Sequence, residues 1–268
     1  MEGANRLQQT GIYIRKCFRI FVNEKGWKTF ISAAIITILI CLVLSEDTFT
    51  AYKDTINGSF ALVCACIWIG IFNSIQSVCK ERDILKREHH SGLHMSSYVA
   101  AHMVYELVLS LAESLIVTVI ITVANMNRLP SAGVFLPTAI ELLLTFFLTI
   151  YSADALGLMV SSIVKNPNTA MTVMPFVLII QLVMSGVIFE LKDLTELISH
   201  LTIAKWAQRA ICTSVNVNGM FLSDYRVEDN YEFTVGHLTG LWFLLIVFTV
   251  LYAIVATIAL EFVDKDKR

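Results

Sequence analysis

Apolar residues gather into six long runs, at about 28–45, 59–79, 99–124, 133–164, 168–189 and 236–260. A bilayer core of about 30 Å takes roughly 20 helical residues per crossing, so each run is read as a membrane-spanning helix. Ser59–Cys79, Asn166–Phe189 and Thr234–Leu260 contain no Asp, Glu, Lys or Arg, which marks those three as the clearest crossings. The third run carries Glu106 and Glu113, the fourth Glu141 and Asp154. The fourth is also long enough to project beyond the bilayer.

Between the second and third runs the pattern changes abruptly. Glu81-Arg82-Asp83-Ile84-Leu85-Lys86-Arg87-Glu88-His89-His90-Ser91-Gly92-Leu93-His94 is densely charged, and opposite charges four apart, such as Asp83 and Arg87, support a helix. Gly92 offers a turn before the third run. The expectation is a helix over about 81–93 that lies across the inner face of the membrane and seats in a partner domain. A multi-span chain with such a connector, and no nucleotide-binding motif, reads as the pore-forming half of a machine driven by another polypeptide.

Two other segments stand outside the crossings. From Leu7 to Val22, Ile12, Ile14, Cys17, Phe18 and Phe21 alternate with Arg15, Lys16 and Arg19, the pattern of an amphipathic interfacial helix over segment 1–26. The connection 190–235 is long and partly apolar, with Leu191, Leu194, Leu197, Ile198 and Leu201 at helical spacing and Ile203 to Ile211 continuing it. It is expected to be ordered helix that caps or dips into the outer leaflet.

Composition agrees: of 268 residues, 56% are hydrophobic and 16% charged, and mean hydropathy is +0.68, values of an integral membrane protein. A net charge of −2 argues against binding nucleic acid through overall charge. Basic residues set the orientation. With both termini cytoplasmic, fourteen of the 20 lie inside: Arg6, Arg15, Lys16, Arg19, Lys25, Lys28, Lys80, Arg82, Lys86, Arg87, Lys165, Lys265, Lys267 and Arg268. Outside remain Lys53, Arg128, Lys192, Lys205, Arg209 and Arg226. Met1 to Lys25 is too polar for a cleavable signal, so the first run is read as a retained span.

Candidate chemistry is sparse. The six cysteines, Cys17, Cys41, Cys64, Cys66, Cys79 and Cys212, have no metal-ligand or disulfide-framework spacing, and Cys64 and Cys66 point about 200° apart on a helix. His90 and His94 are four apart beside Glu88 and His89, but Gly92 weakens the helix that would align them for a metal. No phosphate loop, His-Glu-x-x-His or Gly-x-Ser-x-Gly occurs, so the chain carries no visible catalytic site and is not expected to be an enzyme. Glu106 and Glu113, seven apart on one helix face, point into protein or an aqueous cavity. Proton coupling and a buried hydrogen-bonded pair are both open readings.

Glu81-Arg82, Arg87-Glu88, Ser91-Gly92-Leu93, Tyr98 and Ala100-Ala101 together resemble the coupling-helix signature of ATP-binding-cassette exporters of the type-2 permease class, in particular the G subfamily. Met174-Pro175, Gly186, Ile198-Ser199-His200-Leu201 and Lys205-Trp206-Ala207 leading to Ala210 resemble that family's fifth helix and re-entrant outer segment. The resemblance covers essentially the whole chain. It implies an all-α integral membrane fold of six transmembrane helices, residues 27–268, with an N-terminal interfacial helix, a cytoplasmic coupling helix and an outer re-entrant segment. It implies a plasma-membrane permease dimerised with a second copy or homologue, with ATP and Mg2+ bound by a partner nucleotide-binding domain rather than by this chain. Coupling would fall to Glu81, Arg82, Arg87, Glu88 and Gly92. The substrate cavity would be lined by Trp68, Phe72, Asn73, Gln76, Phe176, Gln181 and Met184, and an outer gate formed at Ser199 and Trp206. Two positions depart from the pattern: Val108 stands where a proline is common, and Cys212 is the outer loop's only cysteine, leaving at most a bond between copies. The rival expectations are an ion- or proton-coupled secondary transporter using Glu106, Glu113, Glu141 and Asp154, and an intramembrane scaffold or enzyme.

Overall fold

The computed structural model describes residues 5–189, 191–220 and 228–262. The expected positions Arg226, Lys265, Lys267 and Arg268 lie outside them. Ten α-helices are described: α1 (Arg6–Asn23), α2 (Lys28–Val43), α3 (Tyr52–Ser74), α4 (Ser77–His90), α5 (Met95–Ala124), α6 (Thr138–Ile163), α7 (Pro167–Val183), α8 (Leu194–Ser199), α9 (Ile203–Ser214) and α10 (Val235–Glu261). No strand occurs among the described residues beyond one isolated bridge, Ala132 with Pro137.

Amphipathicity shapes α1. It buries Gln9, Tyr13 and Cys17, spaced by four, against α5, where Tyr13 meets Tyr98 edge-on at 5.4 Å and Phe18 meets Tyr105 at 5.4 Å. The chain then turns by 70° into α2.

The stretch Tyr52–His90, α5, α6 and α10 are long and apolar enough to cross a bilayer, and α1 with α2 makes a fifth candidate if the bent pair is one span. The six runs are thus not six equal crossings. α7 has 17 residues, about 26 Å at 1.5 Å per residue, and stops before the expected 189. Ser185 donates to the Leu182 carbonyl at 2.7 Å, and Gly186 takes φ +81°, a left-handed conformation that ends the helix although the residues stay apolar. At the other end Asn166 accepts from Thr169 N at 2.9 Å with Pro167 in the first turn, a well-formed start. α3 begins at Tyr52 rather than 59, because Lys53 and Asp54 fill a solvated first turn. The expected run from 133 begins as helix only at Thr138.

α6 is the hub. It packs against α3, α5, α9 and α10, and buries small and polar residues such as Ser152, Ala153, Gly157 and Ser161. Small residues let helix backbones approach closely, and interhelical hydrogen bonds supplement packing where lipid supplies no hydrophobic drive. A Cβ on Gly70 of α3 would stand 2.5 Å from the Ile150 carbonyl oxygen of α6. Ser152 Oγ donates to the Leu245 carbonyl of α10 at 2.9 Å, and Trp242 Nε1 donates to Thr145 Oγ1 at 2.9 Å.

Candidate functional site

α4 follows α3 after Ile75 and Gln76, and the two form one 39-residue stretch, about 58 Å at 1.5 Å per residue. This exceeds a bilayer core by more than 20 Å, and the charged element runs on directly from α3. It starts at Ser77, where Val78, Cys79 and Leu85 form its buried face. It ends at Gly92, φ +94°, where Leu93 N donates to the Glu88 carbonyl at 3.0 Å.

The expected coupling residues divide by face. Arg82 is buried and Nη1 donates to the Ser162 and Val164 carbonyls at 3.0 Å each, satisfying the C-terminal carbonyls of α6 with a cation. Glu81 pairs with Lys16 of α1 at 3.0 Å and accepts from Tyr98 Oη at 3.4 Å. Glu88 accepts from Tyr13 Oη. Gln9 of α1 holds the turn from both sides, donating to Gly92 O and accepting from His94 N, each at 3.1 Å. Those contacts fasten α4 to α1, α5 and α6. Arg87 is exposed, together with Lys80, Asp83, Ile84 and His90, all on one stripe at helical spacing. Ile84, 49% exposed, gives that charged stripe an apolar centre. The expected Asp83–Arg87 pair does not form; Glu81 pairs with Lys16 of α1 instead.

The expected cavity residues also separate. Trp68, Phe72 and Phe176 are exposed and face out of the single chain. Trp68, Phe72 and Asn73 border a 240 Å3 cavity with Lys28 and Thr29. Phe72, Asn73 and Gln76 also border a 460 Å3 cavity at the α4 end, with Lys80, Glu81, His102 and Tyr105. Asn73 lies between them, its amide donating to both Glu113 oxygens at 2.9 Å. Gln181 is buried and accepts from Ile203 N and Ala204 N at 2.9 and 3.3 Å. It caps α9 and so ties α7 to it. Met184 offers its carbonyl to Thr202 Oγ1 at 3.5 Å.

The four carboxylates are not one group. Glu141 Oε1 accepts from Phe135 N and Leu136 N at 2.9 and 3.0 Å, clamping the turn before α6. Glu106, Glu113 and Asp154 are fully buried and near enough to interact electrostatically. Glu106 Oε2 and both Asp154 oxygens have no hydrogen-bond partner among the described residues.

After α7, α9 is buried through Ile203, Ala204, Ala207, Ala210 and Ile211, whereas Leu194, Leu197 and Leu201 are exposed. The helical spacing expected across 191–212 is broken at His200–Thr202 into two helices, and only the second is seated in the bundle. Ser199 is buried and accepts from Lys205 Nζ at 2.8 Å, while burial and then Arg209 hold Lys205 below its ordinary pKa. Trp206 donates to the His200 carbonyl at 3.0 Å, with Lys205 and Arg209 over its ring at 5.6 and 5.4 Å. Cys212 is fully buried, which removes it from the bond between copies left open above.

Sequence reasoning did not single out Lys80 or His102, nor the outward stripe of which Ile84 and Asp83 are part. The stripe's spacing of three and four was its available signal. His102 stands four residues before Glu106, and that spacing was readable too.

Comparison with curated proteins finds no match. Residues 8–215 match the family model described as ABC-2 type transporter, a range that takes in the α1 clamp, the charged connector, the buried acids and the capped outer helix. The chain therefore belongs to the ABC-2 type transporter family and is the membrane permease domain of an ABC transporter.

Proposed function

We propose that this permease is a G-subfamily-like exporter that works as a dimer with a second copy or homologue, powered by ATP hydrolysis in separate nucleotide-binding domains. The observation that carries the reading is the division of α4. One face is fastened to α1, α5 and α6 through Tyr13, Lys16, Gln9 and Arg82, while Lys80, Asp83, Ile84 and Arg87 stay free to dock. A helix held so firmly on one side transmits a push from the other. Apolar residues left exposed on α3 and α7, Trp68, Phe72, Phe176 and Ile180, suit a face shared with the second half, where substrate would pass. The testing experiment is transport by the complex in proteoliposomes: export stops on ATP depletion and survives an ionophore. The alternative, ion- or proton-coupled transport through the buried acids, predicts the reverse.

Orientation follows from the basic-residue bias, with both termini cytoplasmic in the plasma membrane. A membrane-impermeant thiol reagent on intact cells modifies Asp54→Cys and spares Lys86→Cys. Labelling at position 86 before permeabilisation overturns the orientation.

The outer segment acts as a gate. Trp206→Ala removes the hydrogen bond to His200 and both cation contacts, so transport falls severalfold while ATP hydrolysis changes little. Equal losses in both refute the gating role.

A further inference from the structure

We infer that Glu106, Glu113 and Asp154 form an intramembrane proton-binding site, supplied from the cavity at the α4 end of the bundle through His102. The inference does not rest on the export reading and holds for either direction of transport.

Three acids are fully buried between α5 and α6, and an uncompensated carboxylate in an apolar interior is prohibitively costly. Compensation from the surrounding elements is thin. Asn73 of α3 serves Glu113 alone, and the Thr29 hydroxyl of α2 donates to the Gly26 carbonyl at 3.0 Å. Lys16 of α1 is committed to Glu81, and Lys28 is exposed on the rim of the smaller cavity. Tyr105 and Tyr151, from α5 and α6, and Cys17 and Cys66, from α1 and α3, are the remaining titratable groups near the acids. α10 brings no charged side chain between Leu238 and Leu260. Among the described residues no group of three His, Cys, Asp or Glu is arranged to hold a metal ion. Protonation neutralises such a carboxylate without a charged side-chain partner.

Access is visible in the same geometry. Tyr98, His102 and Glu106 follow at intervals of four on one face of α5, and Glu113 lies two turns further. Tyr98 accompanies His102 at 4.6 Å between rings. His102, 6% exposed, borders the 460 Å3 cavity beside Lys80 and Glu81, and its Nδ1 has no hydrogen-bond partner among the described residues. Its other nitrogen lies 3.9 Å from Cys17 Sγ. A proton taken from water in that cavity onto one nitrogen of the His102 ring forms the imidazolium, which gives the proton on its other nitrogen to the Glu106 carboxylate and so returns to the neutral ring, as the other tautomer. Asp154, whose two oxygens have no hydrogen-bond partner among the described residues and which lies within electrostatic reach of Glu106, shares that proton.

The test is infrared difference spectroscopy of the permease with its ATPase partner in lipid nanodiscs, following the carbonyl stretch of protonated carboxyl groups. Wild type shows a band whose intensity changes as pH is raised, and Glu106→Gln and Asp154→Asn each remove part of it. His102→Phe leaves the band but slows its hydrogen-to-deuterium exchange severalfold, a rate that a merely structural histidine would not alter. A band that follows sodium or potassium instead of pH, one unchanged in both acid variants, or unaltered exchange in His102→Phe overturns the inference.

Discussion

A permease carrying Ile84→Glu and Arg87→Glu inserts and packs normally but no longer couples ATP hydrolysis to transport. Both side chains are exposed on the outward stripe of α4, so the substitutions leave the contacts to Tyr13, Lys16 and Ser162 intact. Burying Ile84 in a partner cleft would contribute roughly 1.5 to 3 kcal/mol. A carboxylate placed there is desolvated without a partner, and reversal of Arg87 adds like-charge repulsion where an acidic partner surface is met. Together these effects exceed about 3 kcal/mol, more than a hundredfold in docking affinity. Transport should fall to background while basal ATPase of the partner persists. Replacing Glu88 instead would report a different event, because Glu88 accepts a hydrogen bond from Tyr13 and its loss loosens α4 from α1. Transport at wild-type rate in the Ile84/Arg87 double variant would remove α4 from the coupling path.

Gly70→Leu should leave little folded permease. A Cβ there meets the Ile150 carbonyl oxygen at 2.5 Å, the Asp154 backbone nitrogen at 3.0 Å and the Ala153 Cβ at 2.7 Å. Two of these atoms are backbone of a helix packed on several sides, which cannot yield as a flexible side chain would. Overpacking costs about 1 to 3 kcal/mol where a core can adjust, and a leucine at this crossing must separate the helices outright. Gly236→Ala is the matched control, since nothing lies within 4 Å of its Cβ. Size-exclusion chromatography in detergent reads the difference: aggregate for Gly70→Leu, a monodisperse peak for the control. Equal behaviour would show that the α3–α6 crossing is looser than described.

Hydropathy located α3, α5, α6 and α10 because long apolar runs have few alternatives to a crossing helix. It misplaced the end of α7, because Met184–Phe189 stays apolar while the backbone turns at Gly186. Hydropathy reports surroundings, not continuity. The charged connector was legible as a charged helix, yet which of its charges are exposed was not. Arg82 looks like surface until the Ser162 and Val164 carbonyls, some eighty residues away, are placed beside it. That the Gln181 side-chain oxygen receives the first amides of α9 was likewise not readable from spacing. Glu141 reads as a fourth transport acid until its two backbone donors are in view. Each of these roles depends on a contact with a distant or non-periodic segment, which residue spacing does not encode.

The most direct measurement is site-specific cross-linking of the full complex from a photoreactive residue at position 84, with nucleotide added or withheld. The account predicts a cross-link from position 84 to an ABC ATPase subunit or domain, sensitive to nucleotide, and none from position 85, whose leucine is buried against the bundle. Failure of position 84 to capture an ATPase in a complex that still transports, with export that follows an ion gradient and ignores ATP, would contradict it.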